Sequence, residues 1–106
     1  MSNEFPVRLF GTLATSRSRA EIAALFAASS GWRVRESGWS EFELITDAAD
    51  LYVDAESPML IHGSVASESV VDRILEILEK GEVAYAMEWY ADNHELLGNR
   101  AWQSEG

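Results

Sequence analysis

The fold turns on the reading of residues 32–54, WRVRESGWSEFELITDAADLYVD. Trp32 and Val34 alternate with Arg33 and Arg35, the period of a strand with one face in a core and the other in water. Ser37-Gly38 interrupts the alternation as a tight turn does, and Phe42 and Leu44 resume it, so the pattern predicts a hairpin. The next piece is open in kind. DLYVD, residues 50–54, suits a short edge strand or part of a connection, and the material from Phe42 to Val53 adds a strand or lengthens the hairpin.

On either side lie two segments of the same pattern, VRLFGTLATSRSRAEIAAL at residues 7–25 and MLIHGSVASESVVDRILEIL at residues 59–78. With Gly11 aligned on Gly63, Ala14 meets Ala66, Ile22 meets Ile74, Leu25 meets Ile77, Phe26 meets Leu78 and Glu36 meets Glu88. Each copy reads as a strand, a glycine-containing turn, a helix and another strand. The first helix is predicted over Arg19 to Ser30. Ser18 and Glu21 have the spacing of a capping box, Ile22, Leu25, Phe26 and Ser29 follow the helical period, and Gly31 supplies a stop. The second helix is predicted over Val70 to Lys80, capped by Ser67 or Ser69, with Val71, Ile74, Leu75 and Leu78 on its apolar face and Lys80 in its last turn. In AYAMEWYA, residues 84–91, Tyr85, Met87 and Trp89 share one strand face, and Ala84, Ala86, Glu88 and Tyr90 share the other.

Two strand-helix-strand units predict an α+β protein, a ferredoxin-like two-layer sandwich with an additional central strand or hairpin extension. The chain is read as a single domain over residues 1–106, with a pseudo-repeat covering about 5–38 and 57–91 and a C-terminal extension over 92–106. Within that extension, ELLGNRAW either folds back so that Leu96, Leu97 and Trp102 cover the open sheet face, or leaves the face to a partner.

The 106 residues are 47% apolar, enough for one core. The absence of Cys excludes disulfides, thiolate nucleophiles and sulfur-ligated metal sites. Eight Lys and Arg stand against 18 Asp and Glu, for a net charge of -10. That balance argues against nucleic acid and anionic membranes and favours basic partners. Without a basic segment leading into an apolar run, a cytoplasmic protein with no signal peptide and no membrane span is expected.

Several residues are candidates for chemistry. Ser16, Arg17, Ser18 and Arg19 precede a helix, where exposed backbone amides and two guanidinium groups suit an anion, although helix capping and local charge balance explain the same residues. Neither glycine pattern matches a P-loop or a dinucleotide fingerprint. His62 would act as a base if a carboxylate oriented it, and no neighbour in the sequence does so. Asp92, His94 and Glu95 offer ligand atoms, but His-Glu-Leu-Leu-Gly lacks the second histidine of a zinc helix, so no metal or cofactor is expected. Glu41 and Glu43 share a strand face, and Glu36 and Glu88 would approach on neighbouring strands. Such pairs divide acid and base roles only where burial separates their pKa values.

The aromatic residues carry more weight. Trp89 and Tyr90 cannot both point into one face, so one of them lies where a partner, the C-terminal segment or a second subunit would cover it. The reading favoured by these residues is a noncatalytic protein-protein interaction or regulatory domain. It would dock a basic protein, or a second copy of itself, through Trp39, Glu36, Glu41, Glu43, Glu88, Trp89 and Tyr90. The alternative is a small-molecule-binding domain with acid-base enzyme activity around His62.

Overall fold

The computed structural model describes residues 5–29, 31–37, 41–54 and 58–103. The chain runs β1 (Val7–Ala14), α1 (Arg19–Ala27), β2 (Arg33–Ser37), β3 (Glu41–Thr46), β4 (Ala49–Asp54), β5 (Met59–Val65), α2 (Glu68–Lys80), β6 (Ala84–Tyr90) and β7 (Leu96–Trp102). The hairpin expected over residues 32–46 is present as β2 and β3, paired from Arg33↔Ile45 to Ser37↔Glu41; its turn at Gly38 lies outside the described residues.

Among the described residues the seven strands form one sheet in the order β2-β3-β4-β5-β1-β6-β7. Every neighbouring pair is antiparallel. The ferredoxin-like two-layer sandwich expected from two strand-helix-strand units is therefore overturned: a single antiparallel sheet dominates, with only two helices among the described residues. The cause lies in residues 41–54. They are not a hairpin extension but two full strands, and β4 takes the place beside β5 that the second strand of the first unit would have filled. DLYVD is accordingly an interior strand rather than an edge. ELLGNRAW does not fold over the open face either; it continues the sheet in its own plane as the edge strand β7.

Alternation decides which side chains meet the helices. Along β1, Val7, Leu9 and Leu13 are buried while Arg8, Phe10 and Ala14 are exposed. Leu44 of β3, Leu51 and Val53 of β4, Ile61 of β5 and Tyr85, Met87 and Trp89 of β6 join the same core. Ile22 and Phe26 of α1 and Val70, Val71, Ile74, Leu75 and Leu78 of α2 close it from the helix side. Phe26 meets the Trp32 ring edge to face, with centroids 5.0 Å apart, a favoured aromatic geometry. Within the sheet β1 and β6 approach so closely that a Cβ at Gly11 would lie 2.6 Å from the Ala86 carbonyl oxygen.

The helix ends follow their local chemistry. Glu21 N donates to Ser18 Oγ at 3.1 Å and Ser18 N donates to Glu21 Oε1 at 2.8 Å, completing the capping box. Helix α1 ends at Ala27, before the Ser30 expected for it. Helix α2 begins at Glu68, earlier than expected, and Ser67 is its N-cap without a side-chain capping bond. Trp89 Nε1 donates to Glu68 Oε1 at 3.0 Å and so ties β6 to that helix start. Among the described residues, no helix is long and apolar enough to cross a membrane.

Candidate functional site on the open sheet face

The helices cover one side of the sheet; the other side carries the alternate residues of every strand. Register places Arg35, Glu43, Tyr52, His62, Phe10, Glu88 and Asn99 in one row across the sheet. A parallel row runs through Glu41, Asp54, Leu60, Thr12, Ala86 and Ala101. A third runs through Arg33, Ile45, Asp50, Ser64, Arg8, Tyr90 and Leu96.

At the β2-β3-β4 end the rows build a carboxylate network. Glu43 is only 5% exposed because Arg35 and Tyr52 lie against it. Arg35 Nε donates to Glu43 Oε1 at 3.0 Å and Tyr52 Oη donates to Glu43 Oε2 at 3.3 Å. Burial alone would push the Glu43 carboxyl up. Hydrogen bonds with Asp50 and Arg35, together with the guanidinium charge, outweigh it and hold Glu43 below its ordinary value. Asp50 moves the other way, to about 6, through burial first and then its hydrogen bond to Glu43 and the Glu43 charge. As pH falls, Asp50 is the member of this pair that takes up a proton first. The Tyr52 phenol is raised by burial and then by the negative charge of Asp50 and Glu43.

A second group lies alongside. His62 Nε2 is 3.3 Å from Asp54 Oδ2, and one ligand atom from each of Glu41, Asp54 and His62 falls within 4.8 Å of the others. Among the described residues Asp54 Oδ1 is buried without a hydrogen-bond partner, as is Asp50 Oδ1. A hydrogen bond with Asp54, then burial and the Asp54 charge, raise the Glu41 carboxyl. The His62 ring stacks on Tyr52 with centroids 5.8 Å apart and planes inclined by 20°, which limits its orientation.

Toward β7 the face becomes more apolar. Phe10 is 48% exposed on the interior strand β1, and Tyr90 Oη donates to Glu88 Oε1 at 2.6 Å. Phe10, Thr12, Ala86, Glu88, Asn99 and Ala101 line a depression of about 310 Å³.

Of the residues expected at an interface, Glu41, Glu43, Glu88 and Tyr90 share the open face. Trp89 lies on the opposite, helix-covered face at 8% exposure, so the exposed partner of the Trp89-Tyr90 pair is Tyr90. Glu36, in register with Phe42, also belongs to the helix side of the sheet. It does not approach Glu88, because β3, β4, β5 and β1 lie between their strands. Trp39 is outside the described residues.

The anion candidates have structural employment. The Ser18 hydroxyl and Glu21 carboxylate cap α1, and Arg17 Nη2 donates to the Gly81 carbonyl at 2.9 Å, at the end of α2. The Arg19 guanidinium lies 5.2 Å from the Phe42 ring centroid, and Ser16 is exposed in the bend. Among the described residues, Asp92, His94 and Glu95 do not converge on a common point, whereas His62 does have carboxylate neighbours.

Sequence reasoning missed Asp50, Tyr52, Asp54, Arg35 and Phe10 as members of the site. The signal was present in ADLYVD, whose period puts Asp50, Tyr52 and Asp54 on one face once the segment is read as an interior strand. Compared with family models, with curated proteins and with solved structures, the chain matches none.

Proposed function

We propose that this protein is a noncatalytic docking domain whose open sheet face receives a basic segment of another protein. The supporting observation is the half-exposed Phe10 on the interior strand β1, with the Glu41, Asp50 and Asp54 carboxyl groups toward β3 and β4 on one side and Glu88 on the other. An apolar anchor inside a charged rim is the arrangement in which truncating the anchor costs most affinity, while the rim sets encounter rate and partner choice. The net charge of -10 adds long-range attraction for a basic partner.

The experiment is affinity capture with the full chain at low and moderate salt, read by mass spectrometry and followed by binding kinetics on the recovered protein. A basic partner is expected, lost with Phe10→Ser and bound more slowly as salt rises or with Glu88→Gln. An acidic partner, or one that both variants retain at wild-type rates, overturns the reading.

A second reading, small-molecule binding with acid-base chemistry around His62, draws on the opposed pKa directions of Asp50 and Glu43 and on the Asp54-His62 pair. It requires a ligand whose affinity varies with pH and loses that variation in a folded His62→Ala variant.

A further inference from the structure

We propose that Glu41, Asp54 and His62 form a binding site for a divalent transition-metal ion of the zinc class. The inference does not rest on the docking reading. Its three donors come from β3, β4 and β5, which are adjacent in the sheet. Glu41 and Asp54 stand directly opposite each other in register, and His62 lies diagonally across, two residues from Leu60, the register partner of Asp54. The backbone ladder therefore fixes all three Cβ positions.

The donor atoms lie within 4.8 Å of one another. An ion with ligands about 2.1 Å away holds them about 3.4 Å apart in a tetrahedron, so rotamer adjustments of the three side chains are enough to close the site. Two further observations point to a cation rather than to chance proximity. Among the described residues Asp54 Oδ1 is buried with no hydrogen-bond partner, a state that costs free energy unless an ion or a proton meets the oxygen. The His62 ring is also stacked on Tyr52 with Nε2 directed toward Asp54, so the imidazole is partly oriented before any ion arrives.

The donor set selects the class of ion. Two carboxylate oxygens and one imidazole nitrogen suit zinc and its first-row neighbours, whereas magnesium and calcium prefer oxygen alone. Three protein ligands on an open sheet face leave at least one position for water, as in sites that keep an exchangeable ligand.

The test is calorimetric titration of the metal-free full chain with Zn²⁺ in a weakly coordinating buffer, together with thermal unfolding across the same concentrations. One ion per chain is expected, with Kd weakened about 10- to 100-fold or more by Asp54→Asn and by His62→Ala. The His94→Ala variant is expected to bind like wild type, since its ring lies elsewhere. The wild-type Tm is expected to climb with Zn²⁺ concentration and the Asp54→Asn Tm to climb only at about 10- to 100-fold higher concentration, circular dichroism showing both folded. Absence of micromolar binding overturns the proposal, and so does binding that survives both substitutions. Mg²⁺ bound as tightly as Zn²⁺ overturns the assignment to a transition ion. The Phe10→Ser variant separates the two readings, because it is expected to keep zinc whether or not it loses a protein partner.

Discussion

Asp50 and Glu43 show how two neighbouring carboxyl groups on one sheet face acquire different chemistry. Burial penalises both charges, but Arg35 and Tyr52 reach Glu43, so as pH falls Asp50 takes a proton before Glu43 does. The pH consequence has a definite sign. Asp50, raised from 3.8 to about 6, contributes stability that is fully present below 3.8 and lost as pH rises through about 6. Glu43, held below 4.5, acts in the opposite sense and at lower pH. Of the two, only the Asp50 effect varies with pH from about 4.5 to about 6. Asp50→Asn is expected to stabilise the protein at neutral pH by on the order of 1 kcal/mol, allowing for partial exposure, and to flatten the pH dependence above 4.5. Urea unfolding of both proteins at about pH 4.5 and about pH 7.5 checks it. Equal pH slopes would remove Asp50 from the account.

At the scale of elements, the capping box and the edge strand β7 are open to direct tests. Ser18→Ala removes an acceptor for the Glu21 amide and is expected to cost about 1 kcal/mol, read from the denaturant midpoint at constant slope. In β7, a Cβ on Gly98 would come within 2.6 Å of the Trp89 ring. Gly98→Val is expected to displace that indole, break its bond to Glu68, and shift tryptophan emission to longer wavelength as the ring meets water.

The same elements show what the sequence makes legible. The Ser18-x-x-Glu21 pattern, the apolar face of α2 and the alternation of β1 and β6 are local signals, and each describes an element that is present. Alternation assigns a residue to a face but not a strand to a neighbour, so the interior place of β4 was not legible. Asp50, Tyr52 and Asp54 are its polar-side residues and resemble those of an edge. Because β4 joins β3 to β5, the convergence of Glu41, Asp54 and His62 was hidden with it, although Glu41 and His62 each stood out alone. β7 was obscured differently: it has adjacent exposed leucines, 49% at Leu96 and 38% at Leu97, near a pairing irregularity at Trp89/Tyr90. A regular period does not survive such a shift.

For the whole molecule, a net charge of -10 on 106 residues is self-repelling in the folded state. Added NaCl at neutral pH is therefore expected to raise Tm through screening, most steeply at low ionic strength, as scanning calorimetry would register. A Tm that falls with salt would show that specific ion pairs such as Arg100-Glu79 outweigh the general repulsion. The strand order carries another consequence, one of timing. β1 lies inside the sheet, between β5 and β6, so Leu13 must find Met59 on one side and Ala14 must find Ala84 on the other. On the ribosome, the strand made first is the one whose hydrogen bonds are completed late, so VRLFGTLA emerges as an unpaired, partly apolar ribbon until β5 and then β6 follow. A nascent chain halted before residue 84 would present the β6 side of β1 as an open ladder, the kind of unpaired edge on which neighbouring chains can add.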